Sequence, residues 1–152
     1  MTNKISLEQK MLNTKKITEL ILDLPVSFSL PNGWGLKELL LHLWSWDDEF
    51  TKICEGKMND SLDQCEFEFK KMNMDYVEWN DYVLEKMSNL TLDEARQKYK
   101  ETRYKIITLY EKLIKFPETV EDEKSFYRTD RILDLWQHDK QHLKAGGIKI
   151  DF

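Results

Sequence analysis

The chain has 152 residues, of which 41% are hydrophobic and 12% aromatic, and its formal net charge is −5. This length is ordinary for one domain, and the apolar content is too high for a disordered chain. Acidic and basic residues are mixed without a Lys/Arg stripe, which argues against a nucleic acid partner. We therefore expect a single globular domain over residues 1–152 that binds neither DNA nor RNA.

No apolar run reaches the length of a membrane span, and the first ten residues lack the apolar core of a secretion signal. We therefore expect a cytoplasmic protein without a membrane partner. The two cysteines, Cys54 and Cys65, form no CxxC pair, and in that compartment they are expected to be reduced thiols.

Two helices are predicted in the first part of the chain. The first runs from about Leu7 to Leu24, with Ser6 as its N-cap and Pro25 as its stop. The second runs from about Leu36 to Gly56. It carries one apolar stripe at helical spacing, formed by Leu36, Leu39, Leu40, Leu43, Phe50 and Cys54.

The middle of the chain predicts a crossover followed by a third main helix. Aromatic residues are scattered among charges from Met58 to Asn89, which indicates a long connection ending in a short helix over about Met72 to Met87. The third main helix starts at a capping box formed by Thr91 and Glu94, and Pro117 ends it.

A polar loop leads to the last predicted helix, which runs from about Asp130 to Ala145 and stops at the glycine pair after it. No segment alternates apolar and polar residues as a strand does. The sequence thus predicts an all-α bundle of four main helices, in which the long connection between the second and third crosses the bundle.

Three histidines are arranged as in a metal site. His138 and His142 are four positions apart, so they share one helix face, and His42 lies on the second predicted helix. On both helices the imidazoles fall beside the apolar stripe, at the border between core and solvent. Neutral imidazoles suit a divalent transition metal, with Zn²⁺ and Ni²⁺ as first candidates, and three protein ligands leave a position open.

Such a site allows two kinds of chemistry. The histidines are also compatible with a protein that binds no metal. A bound water would become acidic enough to attack an electrophile, or a low-molecular-weight thiol would bind as thiolate and act as nucleophile. Histidines beside an apolar stripe are also commonly packed residues without a metal, and this alternative stays open. The run from His138 to His142 also fits a loosened H-[DE]-x-x-H metalloprotease signature, but Asp139 is shorter than the glutamate base of such sites.

Two segments resemble a known superfamily. The stretch from Gly33 to Trp46, GWGLKELLLHLWSW, resembles the helix-two signature of the DinB-like (YfiT-like) superfamily, and DLWQHDKQHL, from Asp134 to Leu143, resembles its helix-four HxxxH. The resemblance implies three metal ligands, His42, His138 and His142. It also implies an up-down-down-up four-helix bundle and a homodimer.

A finer resemblance concerns the middle of the chain. The residues Glu78 to Asn80 and Thr91 to Ala95 are similar to the ClbS/DfsB-like branch. The resemblance leaves three alternative functions open. The first is a metal-dependent enzyme of thiol S-transferase or hydrolase type that acts on a small electrophilic molecule. The others are a metal-independent ClbS-like detoxifying hydrolase and a non-catalytic protein that binds metal or a small ligand.

Four further residues are candidates for the surroundings of the metal. Asp134 and Glu49 lie near the histidine faces and are candidates to orient a ligand imidazole, or are surface carboxylates. Arg131 would bind an anionic substrate group, or is an exposed charge. Trp46 is predicted to form a wall of the substrate pocket beside the metal.

Overall fold

The computed structural model describes residues 5–59, 61, 66–116 and 128–152. Within these ranges every regular element is a helix, and Ser29 and Gly35 form one isolated antiparallel bridge. The helices are α1 (Leu7–Leu22), α2 (Leu36–Met58), α3 (Glu68–Lys71), α4 (Tyr76–Lys86), α5 (Leu92–Leu113), α6 (Thr129–Ile132) and α7 (Leu135–Ala145). The predicted all-α class is thereby confirmed for this part of the chain. Cys65, Pro117 and the polar loop that follows Pro117 lie outside it.

The caps predicted for α1 and α5 are present. Ser6 Oγ accepts a hydrogen bond from the Gln9 amide at 3.1 Å. Thr91 and Glu94 bond each other's amides reciprocally, both at 3.1 Å, as a capping box requires. These side chains satisfy amides that the first turn of a helix leaves without a backbone partner, which explains why both starts agree with the prediction.

The prediction was wrong about the start of α4. The short helix begins at Tyr76 rather than Met72, because Asn73 has a φ of 57° and Asp75 caps the helix at the Glu78 amide, 2.8 Å away. A left-handed residue cannot continue a right-handed helix. In the described part of the predicted crossover, the single turn α3 precedes α4.

The predicted last helix was also wrong, because it is interrupted. Instead of running on from residue 130 to 145, it breaks at Leu133 and Asp134, which separate α6 from α7. Ile132 and Leu133 are both fully buried, and the amide of Asp134 bonds to the carbonyl three residues back. The Asp134 carboxylate turns to Lys10 of α1, with an N···O distance of 2.8 Å.

The packing of the longer helices positions the three histidines. α2 packs along α5 and also contacts α4, while α1 contacts both α5 and α7. Two apolar clusters fill the interior. One surrounds Leu39, Leu40 and Tyr99, and the other surrounds Ile53, Ile106 and Tyr110. Among the helices of the described ranges, none is both long and apolar enough to cross a membrane.

Candidate metal centre

Three imidazoles from two helices meet at one point. His42 of α2 and His138 of α7 place their Nε2 atoms 3.4 Å apart, and the Nε2 atoms of His138 and His142 are 3.1 Å apart. One ring nitrogen from each histidine lies within 4.8 Å of the other two. His42 is buried, whereas His138 and His142 are half-buried, so the point where they meet lies at the edge of the core. These three residues could therefore hold one metal ion.

The environment keeps all three imidazoles neutral at physiological pH. The pKa of His42 is lowered to about 3, mainly by burial and in addition by the neighbouring His138 and His142. Burial is also the main cause of the lowered pKa of His138 and of His142. A metal binds the lone pair of a neutral imidazole, so these residues need not lose a proton to act as ligands.

The spacing of the Nε2 atoms fits a shared cation better than hydrogen bonds. Three nitrogens bound tetrahedrally to one zinc-sized ion lie about 3.3–3.4 Å apart, and two of the three pairs here are 3.1 and 3.4 Å. His138 Nε2 takes part in both pairs. A ring nitrogen carries either one proton or one lone pair, so it cannot satisfy two neighbours well, whereas one ion satisfies all three.

The other ring nitrogen of His42, Nδ1, is buried, and Asn80 lies near the ring. Within the described residues this buried nitrogen has no hydrogen-bond partner of good geometry, and the Asn80 side chain lies beside the ring and favours its protonated form. Asn80 Oδ1 accepts a hydrogen bond from Trp46 Nε1 at 3.0 Å. Asn80 of α4 is thus a polar group that lies beside the His42 ring.

The indole in contact with the histidine rings is Trp34, whereas Trp46 reaches His42 only through Asn80. The centroid of the Trp34 ring is 5.0 Å from that of His42 and 6.3 Å from that of His142, and it is nearly parallel to the latter at 24°. Trp46 instead packs edge-on against Phe69, with the centroids 5.5 Å apart. Trp34 is half-buried and forms a wall of the site.

Three other predicted residues have partners or positions elsewhere. Glu49 is buried, accepts a hydrogen bond from the Glu68 amide at 3.1 Å and lies 3.5 Å from the Lys52 ammonium, so it caps α3. Asp134 pairs with Lys10 of α1. Arg131 is exposed on α6. The contacts of Glu49 and Asp134 link helices rather than orient an imidazole.

The carboxylate that faces a ligand histidine is Asp139. Its Oδ1 lies 3.9 Å from His138 Nδ1, while its Oδ2 accepts a hydrogen bond from Arg103 Nη1 at 2.7 Å. This buried ion pair leaves Asp139 unsuited to the role of a metalloprotease base. The sequence shows that an aspartate directly follows His138. That this aspartate pairs with Arg103 of α5 is visible only in the folded structure.

Comparisons with other proteins provide no family assignment. The chain matches no protein-family model, no curated protein and no solved structure. The function is therefore inferred from the residues of the site.

Proposed function

We propose that this protein binds one divalent transition metal ion through the Nε2 atoms of His42, His138 and His142, with Zn²⁺ and Ni²⁺ as first candidates. The observation that carries the proposal is the convergence of three imidazole nitrogens within 4.8 Å of one another. Lowered pKa values in all three rings support it, because proton competition is then weak at neutral pH.

We further propose that the fold is the DinB-like bundle, with α1, α2, α5 and α7 as its four main helices in up-down-down-up order. The resemblance of the two histidine segments supports this assignment, and the packing of α2 on α5 and of α1 on α5 and α7 is compatible with it. The homodimer that the resemblance implies is a prediction that sedimentation of the full chain would test.

The role that best suits such a site is a metal-dependent enzyme that acts on a small electrophilic molecule. When bound, the ion supplies Lewis acidity, which makes a water or a low-molecular-weight thiol a better nucleophile. The protein contributes a half-buried position at the core edge, and Trp34 stands beside it as an apolar wall. A flat apolar substrate would stack on that indole while its electrophilic atom faces the histidines.

Metal content is the first measurement. The full chain, purified without a polyhistidine tag, should contain about one Zn²⁺ or Ni²⁺ per chain by plasma mass spectrometry after metal exposure and desalting. The variant His142→Ala should lose most of it, because two ligands hold an ion far less tightly than three. His142 is half-buried, so the substitution should leave the fold intact.

Gln141→Ala is the matched control, since it removes an exposed side chain from the neighbouring position of α7. It should retain the metal of the parent. If the parent binds no metal after exposure to Zn²⁺ and Ni²⁺, the histidines form a hydrogen-bonded cluster and the proposal fails.

Activity requires a separate screen of electrophiles with water and with thiols as nucleophiles. Turnover that disappears with a chelator and returns with metal would support the enzyme. Turnover that persists in a strong chelator would favour the ClbS-like hydrolase instead, and tight metal binding without turnover would favour a non-catalytic binding protein.

A further inference from the structure

A buried charged layer crosses the interior next to the histidines. It consists of Thr18 of α1, Asp47 of α2, Arg103 of α5 and Asp139 of α7, all at most 4% exposed. Along α2 and α5, this layer separates the two apolar clusters.

Arg103 is the centre of the layer. Its Nε and Nη2 donate to the two carboxylate oxygens of Asp47 at 2.7 and 3.1 Å, and its Nη1 donates to Asp139 Oδ2 at 2.7 Å. Nη1 also lies 3.4 Å from Thr18 Oγ1. The guanidinium therefore fixes both carboxylates in the core.

A contribution to the stability of the fold does not by itself explain why this charged layer is buried. Buried ion pairs carry a large desolvation cost, and well-packed apolar residues can often replace them without loss of stability. The layer lies directly beside the metal site, because Asp139 follows His138 in the chain and its Oδ1 is 3.9 Å from His138 Nδ1. Asp139 is therefore the member of the layer that faces the metal site.

We propose that Asp139, held by Arg103, is the positioning residue of the metal site, an inference that rests on the proposed metal function. Arg103 takes one oxygen of the Asp139 carboxylate, so the other faces His138. A carboxylate oxygen can only accept, and it therefore favours the tautomer of His138 with its proton on Nδ1. The Nε2 lone pair of His138 is then free to face His42 and His142.

The test compares Asp139→Asn with Asp47→Asn. Arg103 only donates, so in Asp139→Asn it would hold the oxygen of the new side-chain amide and turn the amide NH₂ group toward His138. A donor group on this side of the ring favours the tautomer with the lone pair on Nδ1, which is the wrong one for binding through Nε2. Zn²⁺ affinity, measured by competition with a chelating dye, should fall by about 10–100-fold in Asp139→Asn.

Asp47→Asn is the matched control, because it also removes one carboxylate from Arg103 but does not face a histidine. Its Zn²⁺ affinity should stay within about threefold of the parent, well under the loss expected for a residue that orients a metal ligand. Equal losses in the two variants would mean that the layer acts only through the fold, and an unchanged affinity in Asp139→Asn would overturn the inference while leaving the metal site in place. A parent that binds no Zn²⁺ would overturn both.

A second measurement does not depend on a folded variant. Long-range ¹H–¹⁵N spectra of the imidazoles in the metal-free full chain report which nitrogen of each ring carries the proton. His138 should carry it on Nδ1. A proton found on Nε2 instead would contradict the proposed role of Asp139, whatever the substitutions do to stability.

Discussion

Protonation of His42 affects both its ability to bind a metal and the stability of the fold. The unfolded chain binds a proton at this residue near pH 6.5, whereas the folded chain does so only near pH 3. The stability contributed by the neutral imidazole is thus present above pH 6.5 and is lost as the pH falls below it. His138 and His142 act in the same direction, because their pKa values are also lowered.

We therefore expect the metal-free protein to become less stable in mild acid. Between pH 6.5 and 5, the proton taken up by the unfolded chain at His42 alone costs about 1.5 kcal/mol of unfolding free energy. Urea unfolding in the presence of a chelator, at several pH values in this range, measures the effect.

His42→Gln is the comparison, since it cannot take up that proton. Its stability should decline less over the same range. Asp47 works in the opposite direction, because burial raises its pKa to about 6 and its folded form therefore gains stability as the pH falls. Both proteins contain Asp47, so the difference between their slopes isolates His42, and identical slopes would contradict the lowered pKa.

The three histidines could be predicted as a group because their signals are local. The i, i+4 spacing of His138 and His142 defines a helix face, and the apolar stripe of α2 defines the side on which His42 lies. The residues around them could not be predicted in this way. Trp34 reaches the site from a loop and Asn80 from α4, and no spacing in the sequence relates either position to the histidines.

At the scale of elements, the loop before α2 is fixed to the end of α7 through a close contact. A Cβ atom on Gly146 would lie 2.3 Å from two ring carbons of Phe28 and 3.3 Å from the Ser29 carbonyl oxygen. The same loop is closed by hydrogen bonds from the Leu30 amide to the Trp34 carbonyl and from the Trp34 amide to Asn32 Oδ1, at 2.8 and 3.0 Å. Because Gly146 has no side chain, the loop that carries Trp34 can pack against the end of α7.

We expect Gly146→Ala to lower the free energy of unfolding by about 1–3 kcal/mol, since an added methyl group has no room without a shift of Phe28 or of the backbone. Urea unfolding measures the loss. Gly35→Ala is the matched control in the same loop, because its Cβ would meet the flexible end of Glu38 at 3.3 Å and the Phe28 carbonyl oxygen only at an ordinary contact distance of 4.0 Å. Equal losses in both variants would show that the contact with Phe28 is not the cause.

Helix boundaries illustrate which elements the sequence predicts well. The starts of α1, α2 and α5 agree with the prediction because a cap or a turn glycine marks each of them. The break between α6 and α7 carries no such mark. It depends on Lys10 of α1, which pairs with Asp134 and also donates to the Asp130 carbonyl oxygen at 2.8 Å. A contact over 120 residues of chain leaves no local pattern.

At the scale of the whole molecule, the metal site joins distant parts of the chain. His42 comes from α2, and His138 and His142 from α7, near the C-terminal end of the sequence. An ion bound by both helices would bind only the folded chain with full affinity, because the unfolded chain does not bring the three imidazoles together. Binding must then stabilise the fold by mass action.

The expected size of this stabilisation follows from the metal concentration. Free Zn²⁺ at a hundred times its dissociation constant adds about 2.7 kcal/mol. For a chain of this length that raises the Tm by about 5–10 °C, since each kcal/mol shifts it by about 2–4 °C. Calorimetry with Zn²⁺, and again after a chelator is added, should show the rise and its reversal. His142→Ala should show almost none, and a rise in that variant equal to that of the parent would place the ion elsewhere on the protein, because the imidazole of His142 would then contribute nothing to its binding.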